Sequence, residues 1–212
     1  DTGRIPFEFT DVATVLNKLE LTSGNNLLNA GSAIFCGGIL QDLQMAVFAT
    51  SERVTFLDMQ RKSGPILTLV DEAVSYVSSK INWRVEITGS PQRNEIPEVP
   101  LDAVRELILN SWCHKDYTSA TSNEIAIHPD RIEIFNPGRF PDGYTPHDFA
   151  TGKERPIRRN PLITRTLYLT KEIESFATGL KRVIDTCDAA GVKYEFKQLK
   201  SGFVSILYRD EL

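Results

Sequence analysis

The stretch RELILNSWCHKDY, residues 105–117, sets Glu106, Asn110 and His114 four residues apart, with Asp116 and Tyr117 close behind. A helix turns about 100° per residue, so these three groups line one side of it together with Asp102 and Cys113. Leu101, Val104, Leu107, Ile108, Ser111 and Trp112 gather on the other, core-facing side. Every amphipathic helix must put polar residues somewhere, and a solvated face is the plain reading of such a stripe. Asn110 argues for more, because asparagine is a poor helix-interior residue and solvated faces are usually built from Lys and Glu. An Asn with Glu and His one turn to either side can hold a hard cation against phosphate oxygens, the carboxylate orienting or deprotonating a water.

Other candidate groups read more plainly. Cys113 beside His114 is no nucleophile pair, since adjacent helical residues do not face each other. His128 precedes Pro129 at a hairpin tip, and His147 sits in TPHDFA without an evident partner. Three histidines with cysteines at 36, 113 and 187 lack the spacing of a zinc site, and the thiols fit a reduced, cytoplasmic protein. A P-loop motor is opposed by the absence of any G-x-x-x-x-G-K-[ST] segment; TGKER at 151–155 lacks the upstream glycine and the hydroxyl after Lys153.

Periodicity predicts the elements that must position the stripe. DVATVLNKLEL is a one-faced helix capped by Thr10 or Asp11, and MAVFAT and RVTFLDMQ are strands around Ser51-Glu52-Arg53, with GGILQD before them as a loop. GPILTLVDEAVSYVSSKI is a helix with Pro65 suited to its first turn, WRVEI a strand, and SPQRNEIPEVP a Pro-rich connector. EIAIH and RIEIF form a hairpin with Ile125, Ile127, Ile132 and Ile134 on one face. Residues 136–160, rich in Pro, Gly and Arg, run to about twice a usual loop length and read as a lid. NPLITRTLYL is a helix capped by Asn160, and TGLKRVIDTCDAAG another stopped by Gly191, with Leu180, Val183, Ile184 and Cys187 inward. VKYEFKQL and FVSILYR close the chain as a hairpin whose Phe196, Phe203 and Tyr208 read as core. Strands joined by hairpins among irregularly placed helices predict an α+β protein, a mixed or antiparallel sheet layered with helices. A smaller α/β subdomain is expected over 1–93 and the main domain over 94–212.

The chain has 212 residues, 41% hydrophobic and 25% charged, with a net charge of −4. That composition excludes disorder and a general nucleic-acid binder. Nothing approaches the roughly 18 apolar residues of a membrane span, and no secretory signal opens the chain, so no membrane partner is expected and a cytoplasmic location is. A start at Asp1 rather than Met reads as a piece of a longer protein. One run departs from the overall charge: KERPIRRNPLITR, 153–165, has five basic residues and one acid.

In order, RELILNSWCHKDY, RIEIFNPGRFPDG, RRNPL, ESFATGLKRV and SGFVSILYR resemble the GHKL-type (Bergerat-fold) ATPase domain of RecG-related proteins and of transcriptional regulators with a Schlafen/AlbA-like DNA-binding domain. NLLNAGSAIF, FLDMQRKSGPIL and NEIPEVPLDAVREL resemble the segment preceding that domain in those regulators. The resemblance implies ATP and magnesium as cofactors. It implies Glu106 as the catalytic residue that positions or activates the attacking water, and Asn110 as the magnesium ligand bridging the phosphates. His114 and Asp116 would extend that box. Asn136, Pro137 and Gly138 would read adenine, and residues 139–160 would be the lid, with Arg158, Arg159 and Asn160 near phosphate. Thr178 and Gly179 would be the second glycine box, at a helix N-terminus that favours anions.

The chain departs from that pattern at three places. Position 136 is Asn where active enzymes of this type have Asp, Arg139-Phe140 replaces a glycine step, and Ala177 stands where glycine is usual. An amide oxygen accepts more weakly than a carboxylate, and a methyl obstructs close approach of backbone to phosphate. The expectation is nucleotide binding with weak or absent hydrolysis, in a nucleotide-binding or sensor module of a transcriptional-regulator or RecG-related protein. DNA would be reached through domains outside these residues. A competing expectation is a non-catalytic domain that keeps the fold for homodimerisation or protein contact. A third has the basic run 153–165 touching DNA phosphates, with a salt-dependent affinity.

Overall fold

The computed structural model describes residues 3–36, 41–86, 94–151, 153–155, 157–173 and 178–209, with the backbone alone at Cys36, Glu86, Asn94 and Thr178. Asp11 caps α1 (Val12–Lys18), accepting from the Thr14 amide at 2.9 Å. A small ribbon of β1 (Thr22–Ser23) and β2 (Asn26–Leu27) is followed by α2 (Asn29–Gly31) and a π-helical turn, Ser32–Cys36. β3 (Gln41–Phe48) and β4 (Phe56–Gly64) pair antiparallel over more residues than the apolar pattern suggested. Gln41 and Asp42, read as loop, are strand residues because they pair with Gly64 and Ser63. Pro65 is the N-cap of α3 (Ile66–Lys80) rather than a residue of its first turn. β5 (Trp83–Glu86) pairs with β6 (Asn94–Pro97), so the Pro-rich connector contributes a short strand.

α4 (Leu101–His114) carries the stripe. β7 (Asn123–Ile127), β8 (Arg131–Asn136), the short α5 (Pro146–Ala150), α6 (Pro161–Leu169) and α7 (Thr178–Ala190) follow. Gly191, at φ 70°, ends α7 in the left-handed region that favours glycine. β9 (Tyr194–Gln198) and β10 (Phe203–Tyr208) close the chain.

One six-stranded sheet has the order β4-β3-β7-β8-β10-β9. β3 and β7 run parallel and every other neighbour is antiparallel. Two strands come from residues before 93 and four from residues after 94, and one core cluster draws on both stretches. Strand alternation sorts the side chains by face. Leu43, Met45, Ile125, Ile127, Ile132, Ile134 and Leu207 bury themselves in the core shared with α3, α4 and α7, where Trp112 is fully enclosed. The other face keeps a small cluster of Phe135, Val204 and Ile206. The α+β class expected from the strand and helix pattern is what the chain adopts.

His128 sits at the turn between β7 and β8, where its amide donates to the Arg131 carbonyl at 2.8 Å. It is fully buried, stacked on Phe48 at 4.8 Å, with Nδ1 3.1 Å from the Thr50 carbonyl. Cys113 and Cys187 are buried free thiols, while the Cys36 side chain lies outside the described residues. Among the described residues no helix is long and apolar enough to cross a membrane.

Candidate functional site

The polar stripe of α4 is covered in part: Asp102 and His114 are exposed, Asn110 is half-buried, and Glu106 and Cys113 are buried. Glu106 is 8% exposed and Cys113 2%. The cover over Glu106 and Asn110 is the start of α7: a Cβ built on Gly179 would stand 2.7 Å from Glu106 Oε1 and 2.8 Å from Asn110 Nδ2. Glycine lets the two helices close to this distance without pushing those two side-chain ends aside. Beneath it, Asn110 Nδ2 donates to Glu106 Oε1 at 3.0 Å and to the Glu106 carbonyl at 2.9 Å. Arg182, one turn along α7, brings Nη1 to 3.5 Å from Glu106 Oε2. The sequence reading passed over Arg182; the signal available was its position three residues after Gly179 on one helix face. Burial pushes the Cys113 thiol up to about 12, which leaves it an unreactive packing group.

A cavity of about 250 Å³ lies beside this contact, between α4, the ends of β8 and β10, the start of α7 and the lid. Leu107, Ile134, Phe140, Phe149, Leu180 and Phe203 give it apolar walls. Its polar groups include Asn110, Ser111, His114, Asn136, Arg159 and Ser205. Two-residue alternation places them: Ile134 and Asn136 share the inner face of β8, paired across the sheet with Ser205 and Phe203 of β10. Asn136 is 3% exposed, and its Nδ2 has no hydrogen-bond partner among the described residues. A buried amide with a spare donor, set in an apolar wall, is costly unless something supplies the acceptor. Gly138 follows as the chain passes the end of α4, where a Cβ would overlap the His114 carbonyl.

The lid is organised by its aromatic residues. Thr145 and Asp148 form a reciprocal capping box on α5, which carries Phe149. Phe140 packs on Phe149 at 5.4 Å and edge-on to Phe203 at 4.7 Å, so Phe203 is a cavity wall rather than plain core. Arg159 Nη2 donates to the Arg139 carbonyl at 2.6 Å. Asn160 does not cap α6 through its side chain. Its Nδ2 donates to the carbonyls of Cys113 at 2.9 Å and Lys115 at 2.8 Å, tying the lid to the end of α4. Asp116 fixes the next turn, accepting from Thr118 N at 3.0 Å, with its carboxyl held below the usual range by those Thr118 bonds.

Asn110, His114, Asn136, Gly138, Arg159 and Gly179 therefore line one cavity, and Glu106 lies behind Asn110 and Gly179 without lining it. Arg158 is exposed and lines no wall of this cavity, and Asn160 faces away from it. The Thr178 side chain and Ala177 lie outside the described residues. Phe149 and Ser205 were not singled out from the sequence, while Phe140 was read only as replacing a glycine step and Leu180 only as an inward helix residue.

His114 is exposed to solvent yet lines a concavity crowded by protein. That crowding first, and the Arg159 guanidinium second, lower its pKa to about 4. Between that value and the ordinary value of about 6.5 the unfolded chain binds the extra proton, so stability falls as pH drops through this window. His114→Gln is expected to flatten the decline in Tm between pH 6.5 and 4, measured by circular dichroism against wild type. An unchanged slope would refute the assignment.

The comparisons with known proteins bear on this geometry. Residues 121–207 match the model of the family described as "Putative ATP-dependent DNA helicase recG C-terminal". The matched stretch takes in Asn136, Gly138, Arg159 and Gly179 but begins after α4, so Glu106, Asn110 and His114 meet it only through packing. Among solved structures, the DIP2311 protein from Corynebacterium diphtheriae is similar, with a TM-score of 0.80 at 20% identity over 95% of this chain. That likeness is one of fold. The match covers 41% of the DIP2311 chain, so this chain spans less than half of that protein's length. No curated protein matches.

Proposed function

We propose that the chain is a nucleotide-binding or sensor module that takes ATP with magnesium in the cavity beside Asn136, within a RecG-related or transcriptional-regulator-type protein. The observation carrying this reading is the buried Asn136 amide with its unpartnered Nδ2 in an apolar, aromatic-walled cavity. An amide offers a donor beside an acceptor, the pair that matches an adenine edge with its exocyclic amine and a neighbouring ring nitrogen. Phe140 and Phe203 supply faces for the base. Asn110 would hold the magnesium ion together with the nucleotide's own phosphate oxygens, because no cluster of three His, Cys, Asp or Glu is placed for a metal among the described residues. Magnesium would supply charge neutralisation at the phosphates. The first turn of α7 at Gly179 offers backbone donors, and Arg159 adds positive charge.

Turnover fits less well. Glu106 is buried, bonded to Asn110, near Arg182 and roofed by Gly179, which opposes a role as base toward a water. Slow or absent hydrolysis is the expected behaviour.

Isothermal titration with Mg-ATP and Mg-ADP tests the reading. Wild type is expected to bind, and Asn136→Leu to lose at least about tenfold in affinity, roughly 1.4 kcal/mol, at unchanged or raised Tm because an orphaned donor is removed. No heat from wild type at high protein concentration, or equal binding by the variant, would sink it.

A further inference from the structure

We propose that a second cavity, on the far side of the α4 C-terminus, binds the oxyanion of a small ligand, a phosphate or a carboxylate, between Lys115 and the N-terminus of α6. This site does not depend on nucleotide binding at Asn136. The cavity has a volume of about 540 Å³, and its walls include Asn29, Tyr117, Thr121, Ser122, Leu162 and Ile163.

Lys115, the residue after α4, is 6% exposed. Its ammonium lies 5.2 Å from the Trp112 ring centroid and 5.7 Å from that of Tyr117. Among the described residues it has no hydrogen bond and no ion pair. Ring faces attract a cation but take up none of its three directed N–H bonds. A lysine this deep, with only the Asp42 charge nearby and its three N–H bonds unspent on protein, has donors to offer a ligand. Asp42 stands in the same wall, with its carboxylate committed to Arg61 Nη2 at 2.8 Å and to the Ser63 hydroxyl. Burial lowers the ammonium's pKa and the Asp42 charge opposes that.

The second observation is independent of the lysine. α6 is nine residues long and opens with Pro161, which has no N–H. Asn160, the N-cap, spends its side chain on the end of α4. The amides of Leu162 and Ile163 consequently have no partner among the described residues, and both residues line the cavity. Two free first-turn donors and the positive end of the helix thus share one concave wall with an unpaired ammonium and the hydroxyls of Thr121 and Ser122. Arg159 borders both this cavity and the one beside Asn136, so an occupant here touches the same guanidinium that faces the nucleotide pocket.

The test uses inorganic phosphate, acetate and chloride at matched ionic strength with the whole chain. Phosphate or acetate is expected to raise Tm above the chloride value, and the stronger of the two assigns the ligand class. Lys115→Met keeps the stem on the two rings while removing the charge. It is expected to abolish that response and, in chloride, to melt no lower than wild type and up to about 2–4 °C higher. In wild type, amide NMR signals of Leu162 and Ile163 should move on titration with the active anion, a readout that needs no variant. Asn136→Leu should respond to the anion as wild type does, so failure of the nucleotide reading leaves this one standing. Still Leu162 and Ile163 signals in wild type, or an anion response that survives Lys115→Met, would overturn the proposal.

Discussion

Gly138→Ala is expected to destabilise the protein by about 1–3 kcal/mol, visible as a lower urea midpoint at unchanged slope. The reason is space rather than backbone conformation. A Cβ at 138 would overlap the carbonyl of His114 and stand 2.8 Å from Asn136 Nδ2. The first obstacle is backbone and cannot rotate away. Nor can the end of α4 retreat readily, because Asn160 holds the Cys113 and Lys115 carbonyls and the Asp116 amide donates to the Pro137 carbonyl at 3.0 Å. The substitution must therefore part the 136–138 segment from α4, which widens the cavity and displaces Asn136. A midpoint equal to wild type would mean that this contact is looser than the geometry has it.

The helix that bears the stripe was legible because its apolar spacing is regular, and the hairpin of β7 and β8 because its isoleucines alternate. Asn136 was legible as a site residue only through the resemblance. In the folded chain it follows from alternation too, since it continues the inner face of Ile132 and Ile134 to the strand's end. What covers the stripe was not legible. A wheel drawn for α4 alone cannot show that α7 arrives on its polar side, so Glu106 and Cys113 looked like surface and are buried. Asn160 misled for a related reason: an Asn before Pro at a helix start reads as a cap, but two carbonyls at the end of α4 compete for the same amide and win. Lys115 was invisible in the sequence, where a lysine after a helix reads as a solvated C-terminal charge. Its burial follows from the packing of Trp112 and Tyr117 around it.

Gly179→Val is expected to abolish Mg-ATP binding in the titration that wild type passes. Here the obstacles are side chains, the Glu106 carboxylate at 2.7 Å and the Asn110 amide at 2.8 Å from a Cβ. Side chains can swing aside, so the chain should still fold, losing about 1–3 kcal/mol as an overpacked contact does. They would swing at the expense of the Asn110–Glu106 bond and of the first turn of α7, the two features on which the phosphate end of the proposed site depends. The effect should fall unevenly along the ligand. Adenosine, which relies on Asn136 and the aromatic walls, should lose far less affinity than ATP, whose phosphates need Asn110 and the α7 N-terminus. Equal losses for adenosine and ATP would show that the valine collapses the whole cavity. Undiminished ATP binding would place the phosphates away from Gly179 and remove Asn110 from the metal's side of the site.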